Sequence, residues 1–162
     1  AIGGGYPLAA IAGKAELMAH FDKAKVGSEG FCYQVGTLRG NPIASVAGLK
    51  TLEILRRPGT FEDMRAKGQR IMNSLATELS SAGVPHQVVG DPTLFDVVFT
   101  ASEVSDYRHV FHADKDLAKR FNVALRNERI LKPAGKFYTA QAHTQTDISE
   151  TEAAIRKAAA SL

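Results

Sequence analysis

The Pro58-Gly59 pair constrains this chain more than any other feature, because it falls between two stretches of opposite character. Proline cannot continue a helix and glycine readily turns out of one, so the pair ends whatever precedes it and lets a new helix start at Thr60. Before the break, the apolar residues have few partners among themselves. After it, hydrophobic periodicity alternates between helical and extended in the order helix, two strands, helix, two strands, helix, which describes a self-sufficient α+β unit. We therefore expect two domains, residues 1–57 and residues 58–162.

The first segment opens on Gly3-Gly4-Gly5, a loop with no element before it to hang from, and the first residue is Ala1 rather than Met. Both facts lead us to expect a piece of a longer chain. Leu8 to Gly13 is short, small and apolar and reads as a buried strand; Lys14 to Phe21 reads as a short helix. Asp22 to Gly30 is polar and glycine-broken, Phe31 to Val35 is briefly extended, and Gly36 to Gly40 is a loop. Asn41-Pro42 marks a strong helix start, since Asn can cap free N–H groups and Pro at the first position gives up a donor that had no partner. Ile43, Val46, Ala47, Leu49, Leu52, Ile54 and Leu55 then cover nearly every face, which predicts a helix buried on several sides.

In the second segment a helix is expected from Thr60 to about Ala82, with Met64, Ile71, Leu75 and Leu79 on one stripe and Gly83 as its stop. Strands follow at His86 to Val89 and Leu94 to Thr100 around the turn Gly90-Asp91-Pro92. Leu117, Phe121 and Leu125 give Asp114 to Asn127 an apolar stripe. Two short strands are expected at Ile130 to Lys132 and Phe137 to Ala140. Asp147-Ile148-Ser149-Glu150 resembles a capping box that opens a last surface helix with Ile148, Ile155 and Leu162 on one side.

Composition narrows the function classes. With 44% hydrophobic and 23% charged residues among 162, the chain is neither a disordered tail nor a membrane protein. No apolar run is long enough to span a bilayer, and no signal peptide pattern begins the chain. The net charge of +3 is too small to argue for nucleic acid, and no aromatic interleaving supports it. Between Tyr107 and Lys136, eight basic residues stand against three acidic ones. That excess of +5 fits either a solvated helix face or a site for anionic substrates. Cys32 is the single cysteine, so no internal disulfide is possible, which fits a reducing cytoplasm. His109, His112 and His143 have no metal-ligand partners at useful spacing and read as structural; no metal is expected.

The most informative local feature is Gly36-Thr37. Glycine lets a backbone approach a ligand closely, a hydroxyl follows it, and a helix N-terminus lies just beyond, where free N–H groups and the helix dipole favour an anion such as phosphate. An ordinary turn ahead of a helix cap explains the same residues, and a non-enzymatic α+β domain that binds a phosphorylated ligand remains open at this level. The Gly3 to Gly5 run is neither a Walker loop nor a dinucleotide fingerprint.

Three segments taken in order add to this: Ile2-Gly3-Gly4-Gly5-Tyr6-Pro7 with Ala12-Gly13; Tyr33-Gln34-Val35-Gly36-Thr37-Leu38-Arg39-Gly40-Asn41-Pro42; and Ala142-His143-Thr144 with Asp147-Ile148. Together they resemble the class III pyridoxal-phosphate-dependent aminotransferases, with the glutamate-1-semialdehyde 2,1-aminomutase branch as the nearest likeness. The resemblance covers the C-terminal half of such a protein. It implies a fold type I transferase, an α/β architecture in which residues 1–57 end the cofactor-binding large domain and residues 58–162 form the α+β small domain. It implies pyridoxal 5'-phosphate as cofactor, a Schiff-base lysine immediately upstream of Ala1, and no catalytic residue of that kind within the chain. It assigns Gly36 and Thr37 to the phosphate of the cofactor in a neighbouring subunit, which makes the protein a homodimer with shared active sites. Arg39, Lys132 and Lys136 become candidates to receive a substrate carboxylate, although each also reads as a solvated surface charge.

Two departures bear on activity. Where the aminomutase branch has Pro-Ser-x-Phe-Glu-Ala, this chain has Pro133-Ala134-Gly135-Lys136-Phe137-Tyr138, and Arg39 replaces a small residue in the phosphate loop. The resemblance thus implies an aminotransferase moving an amino group between an amino acid or amino ketone and a keto acid or aldehyde. An aminomutase or an amino-acid racemase on the same scaffold is the alternative.

Overall fold

A computed structural model describes residues 2–162. Its backbone divides into two compact units, Ala1–Arg57 and Pro58–Leu162.

The first unit is mostly helix and loop. A short helix α1 (Ala15–Met18) runs into a tighter turn at Ala19–Phe21, followed by α2 (Lys23–Gly30) and α3 (Pro42–Leu55). The polar, glycine-broken stretch after Asp22 is helical because the Asp22 carboxylate caps it by accepting from the Ala24 N–H at 3.1 Å. The glycine break is nonetheless present: Gly27 leaves the helix at φ +71°. Leu8 to Gly13 is not a strand, and neither it nor the extended Phe31 to Val35 has a pairing partner; among the described residues this unit holds no sheet. His20 ties the segment down instead, with its Nδ1 2.7 Å from the Gly30 carbonyl and its own carbonyl accepting from the Cys32 N–H.

Asn41 and Pro42 open α3 as the sequence predicts, the Asn41 Oδ1 accepting from the Ala44 N–H at 3.0 Å. Burial differs from expectation. Only Ala44 and Gly48 of α3 are buried, while Ile43, Val46 and Leu49 are 59%, 66% and 67% exposed. Their spacing of three places them along one stripe of the helix that the described residues of this unit leave largely exposed.

The second unit has a core of its own. Helix α4 (Thr60–Ser81) precedes a three-stranded antiparallel sheet in the order β1 (Gln87–Asp91), β2 (Leu94–Val98), β3 (Phe137–Tyr138), with α5 (Tyr107–Phe111) and α6 (Lys115–Asn127) inserted before β3 and α7 (Gln145–Ala160) last. Leu75 and Leu79 of α4, Phe95 of β2, Phe121 and Leu125 of α6, and Ile148 and Ile155 of α7 are all at most 1% exposed. Each such side chain contributes about 1.5–3 kcal/mol of transfer free energy. Phe95 and Phe137, paired in register across β2 and β3, stack with centroids 5.1 Å apart, and Phe99 meets Phe121 edge-on at 5.5 Å.

Helix α4 starts at Thr60 as expected, with Gly59 before it in the left-handed region at φ +82°. Several other boundaries differ from the sequence reading for identifiable reasons. The hairpin closes on Pro92-Thr93, because the Asp91 carboxylate accepts from both the N–H and hydroxyl of Thr93, so Gly90 stays inside β1. Ile130 to Lys132 forms no strand. Helix α5 was not foreseen; Asp106 starts it by accepting from the Arg108 and His109 N–H groups. The capping box of α7 lies three residues earlier than expected, with Thr144 as cap and Asp147 as its reciprocal partner.

Candidate functional site

Loop 36–40 is built by two turns, Arg39 N–H to Gly36 O at 3.0 Å and Asn41 N–H to Leu38 O at 3.1 Å, with Gly40 at φ +71° delivering the chain into α3. These bonds use the N–H groups of Arg39 and Asn41. The Thr37 hydroxyl and the N–H groups of Thr37 and Leu38 find no partner among the described residues, and both residues are exposed. Nothing stands within 4 Å of where a Gly36 Cβ would lie, and Gly36 does not occupy the left-handed region. The chain's own fold therefore does not require glycine at position 36. The adjoining α3 N-terminus adds a partial positive charge, so the local chemistry, free donors on a glycine-hydroxyl loop, fits a phosphate group.

Beside the loop is a cleft of about 720 Å³ within the first unit, whose polar lining comes from Gln34, Arg39 and Asn41, with Gly36 also on its wall. The Arg39 guanidinium folds back so that Nη1 donates to the Gln34 carbonyl, which fixes the side chain across its own loop. Arg39, Gly36 and Asn41 are thereby brought together; Thr37 is on the same loop but does not line the cleft.

Lys132 and Lys136 lie in the second unit, on either side of the Pro133–Gly135 turn. Lys132 is half-buried. Its Nζ donates to the Pro133 carbonyl at 2.9 Å and reaches the Ala134 carbonyl at 3.4 Å, 4.8 Å from the Phe137 ring centroid. Burial pushes its ammonium below the usual lysine range, partly countered by the nearby Asp96 carboxylate. The same burial pushes the Asp96 carboxyl up, against the Val97 N–H bond and the fields of Lys132 and Lys136. Lys136 is exposed and has no hydrogen-bond or ion-pair partner among the described residues.

The histidines have local roles. His143 Nδ1 accepts from the Ala140 N–H at 3.1 Å, His109 lies 3.2 Å from Asp106, and His112 meets Phe111 edge-on. Among the described residues no group of three His, Cys, Asp or Glu side chains could hold a metal ion, and no helix is long and apolar enough to cross a membrane. The sequence reading did not single out Asn122 or Asp96. Asn122 donates to the Ala134 carbonyl at 3.0 Å and Asp96 abuts the same turn, contacts that no periodicity could reveal.

Known structures share this arrangement of elements. An omega-transaminase from Sphaerobacter thermophilus superposes with a TM-score of 0.78 at 29% identity, over 97% of this chain and 37% of that one. A beta-phenylalanine aminotransferase from Variovorax paradoxus gives 0.75 at 26% identity, over 89% and 33%. The fold is that of part of a fold type I transferase. The family model for class III aminotransferases matches residues 1–140, and the chain belongs to that family. Curated relatives include glutamate-1-semialdehyde 2,1-aminomutases of Methanopyrus kandleri, 36% identical over 97% of this chain, and of Thermus thermophilus, 37% identical over 97%. The chain spans little more than a third of the length of either relative, 36% and 37% respectively.

Proposed function

We propose that this chain is the C-terminal part of a pyridoxal-phosphate-dependent aminotransferase that moves an amino group between an amino acid or amino ketone and a keto acid or aldehyde. The observation that carries the proposal is the set of unspent donors on Thr37 and Leu38 beside a glycine that the chain's own packing does not need. Residues 1–57 belong to the large domain and residues 58–162 are the small domain. The cofactor phosphate comes from the active site of a second subunit, so the enzyme is a homodimer with shared sites. The exposed stripe of α3 supports a role for the first unit within a larger body, since a covered helix face of that kind is ordinary and an uncovered one is not. An exposed free thiol at Cys32 accords with a cytoplasmic location.

Pyridoxal phosphate, when bound, supplies the electron sink for substrate carbanion chemistry. This chain's residues bind and orient. The Thr37 hydroxyl and the N–H groups of Thr37 and Leu38 donate to phosphate oxygens, and Gly36 leaves the space for that approach. Arg39 of the first unit and Lys136 of the second are each, taken separately, candidates to receive a substrate carboxylate.

The relatives named as glutamate-1-semialdehyde aminomutases favour a second reading, an aminomutase on the same scaffold. The Pro133 to Tyr138 stretch, which carries Lys136 in place of a glutamate-bearing segment, favours transfer between two substrates. Full-length protein supplied with cofactor, an amino-acid donor and a keto-acid acceptor separates the two. Amino transfer to the acceptor is expected; isomerisation of glutamate-1-semialdehyde with no transfer to any acceptor would overturn it. Thr37→Ala should in addition make the dimer fraction in sedimentation depend on added cofactor.

A further inference from the structure

The turn between Lys132 and Lys136 is bonded by two side chains and has the Asp96 carboxylate beside it. Asn122 of α6 donates to the Ala134 carbonyl at 3.0 Å, and the Lys132 ammonium takes the Pro133 carbonyl at 2.9 Å and the Ala134 carbonyl at 3.4 Å. A Cβ at Gly135 would lie 3.7 Å from the Asp96 Oδ2. An ammonium has three donors. Two of those on Lys132 go to carbonyls, and the Phe137 ring stands 4.8 Å from the charge, in cation–π range. Little of Lys132 is left for a substrate carboxylate, whereas Lys136, at the far end of the turn, is exposed and unpaired among the described residues.

We infer that Lys132 is a positioning residue: its ammonium closes the Pro133–Gly135 turn on itself through two carbonyls, while Asn122 ties the turn to α6, and so Lys132 fixes where Lys136 stands to receive the substrate carboxylate. The second half rests on the aminotransferase reading; the clamp itself does not. Replacing Lys132 removes the one side chain that, among the described residues, bonds two successive carbonyls of the turn, so the turn loosens and Lys136 loses its fixed place. Arginine keeps both charge and donors and can restore the clamp.

The test uses full-length, cofactor-loaded enzyme in four forms, Lys132→Met, Lys132→Arg, Lys136→Gln and the Lys132→Met/Lys136→Gln double variant. Hydrogen exchange followed by mass spectrometry should show the peptide covering residues 130–138 exchanging about tenfold faster in Lys132→Met, with peptides from α4 and α7 unchanged. Lys136→Gln should leave that exchange unaltered. In kinetics, the KM for alanine relative to that for 1-phenylethylamine, a donor with no carboxylate, should rise about tenfold in Lys136→Gln and by a similar factor in Lys132→Met. The double variant should be no worse than Lys136→Gln alone, and Lys132→Arg should recover most of the loss. Multiplying effects in the double variant would show that Lys132 acts independently and overturn the assignment. Unchanged exchange in Lys132→Met would overturn the clamp. Should the wild type transfer no amino group from either donor, the aminotransferase reading falls, and the exchange experiment still decides the clamp.

Discussion

Gly68 lies where α4 runs directly against the hairpin turn of the small sheet. A Cβ built there would collide with the Pro92 carbonyl oxygen, stand 2.5 Å from the carbonyl carbon and 3.0 Å from the Thr139 Oγ1. Ordinary contact begins near 3.4 Å, so relieving the carbonyl carbon alone takes about 0.9 Å, and the nearer oxygen requires Gly68→Ala to push the turn and α4 apart by more than that. Backbone is what must move, since the obstruction is a peptide group. Overpacking of this kind costs about 1–3 kcal/mol. The displaced peptide also accepts the Thr139 hydroxyl at 3.1 Å, and its loss adds roughly 0.5–1.5 kcal/mol. Against this, alanine in a helix interior gains about 1 kcal/mol over glycine. The net expectation is a destabilisation of about 0.5–3.5 kcal/mol, combining these terms. Urea unfolding of the full-length protein, followed by a probe in the small domain, measures it. The exposed Ala66→Gly on the same helix serves as a propensity control and should cost roughly 1 kcal/mol. A Gly68→Ala protein more stable than wild type would show that helix propensity governs position 68 and would refute the close-packing argument.

Other outcomes are expected from the same structure. Arg129 has φ +67° just past the end of α6, where its N–H and that of Ile130 bond back to Arg126 and Leu125, a left-handed helix stop that costs a non-glycine residue. Arg129→Gly should therefore raise stability by about 0.5–1 kcal/mol in denaturant titration; a loss would mean that the arginine side chain outweighs the strain. Asp147 accepts from both the N–H and the hydroxyl of Thr144, and these bonds hold its carboxyl below the usual range. A lowered folded-state pKa contributes stability that is fully present above the unfolded value and is lost as pH falls through the folded value. Asp147→Asn should thus lower stability at neutral pH and flatten the fall in stability below about pH 4, read from thermal unfolding across that range.

Much of the second unit is legible in its sequence because local signals and burial agree there. Leu117, Phe121 and Leu125 announce α6 by spacing alone, and Ile148 and Ile155 do the same for α7. Short elements fail where one side chain decides them. Asp22 and Asp106 start short helices through single caps, and Ile130 to Lys132 has strand composition but no strand beside it to pair with among the described residues. Helix α3 is the instructive case: its start is fixed by Asn41-Pro42, yet its all-round apolar pattern says how much surface seeks cover and not what covers it. At the candidate site, loop 36–40 shows itself through glycine and hydroxyl chemistry. Lys132 and Lys136 look alike in the sequence, and only the fold distinguishes an ammonium spent on carbonyls from one left exposed.

The central claim is that Thr37 holds the cofactor through its phosphate. Its most direct test compares the affinity of wild type and Thr37→Ala for pyridoxal phosphate and for pyridoxal, which lacks the phosphate, by equilibrium dialysis of the full-length protein. A hydrogen bond to a charged group contributes about 1.5–3 kcal/mol, so Thr37→Ala should weaken pyridoxal phosphate about ten- to a hundredfold and leave pyridoxal unaffected. Equal losses for both ligands, or none for either, would contradict the assignment.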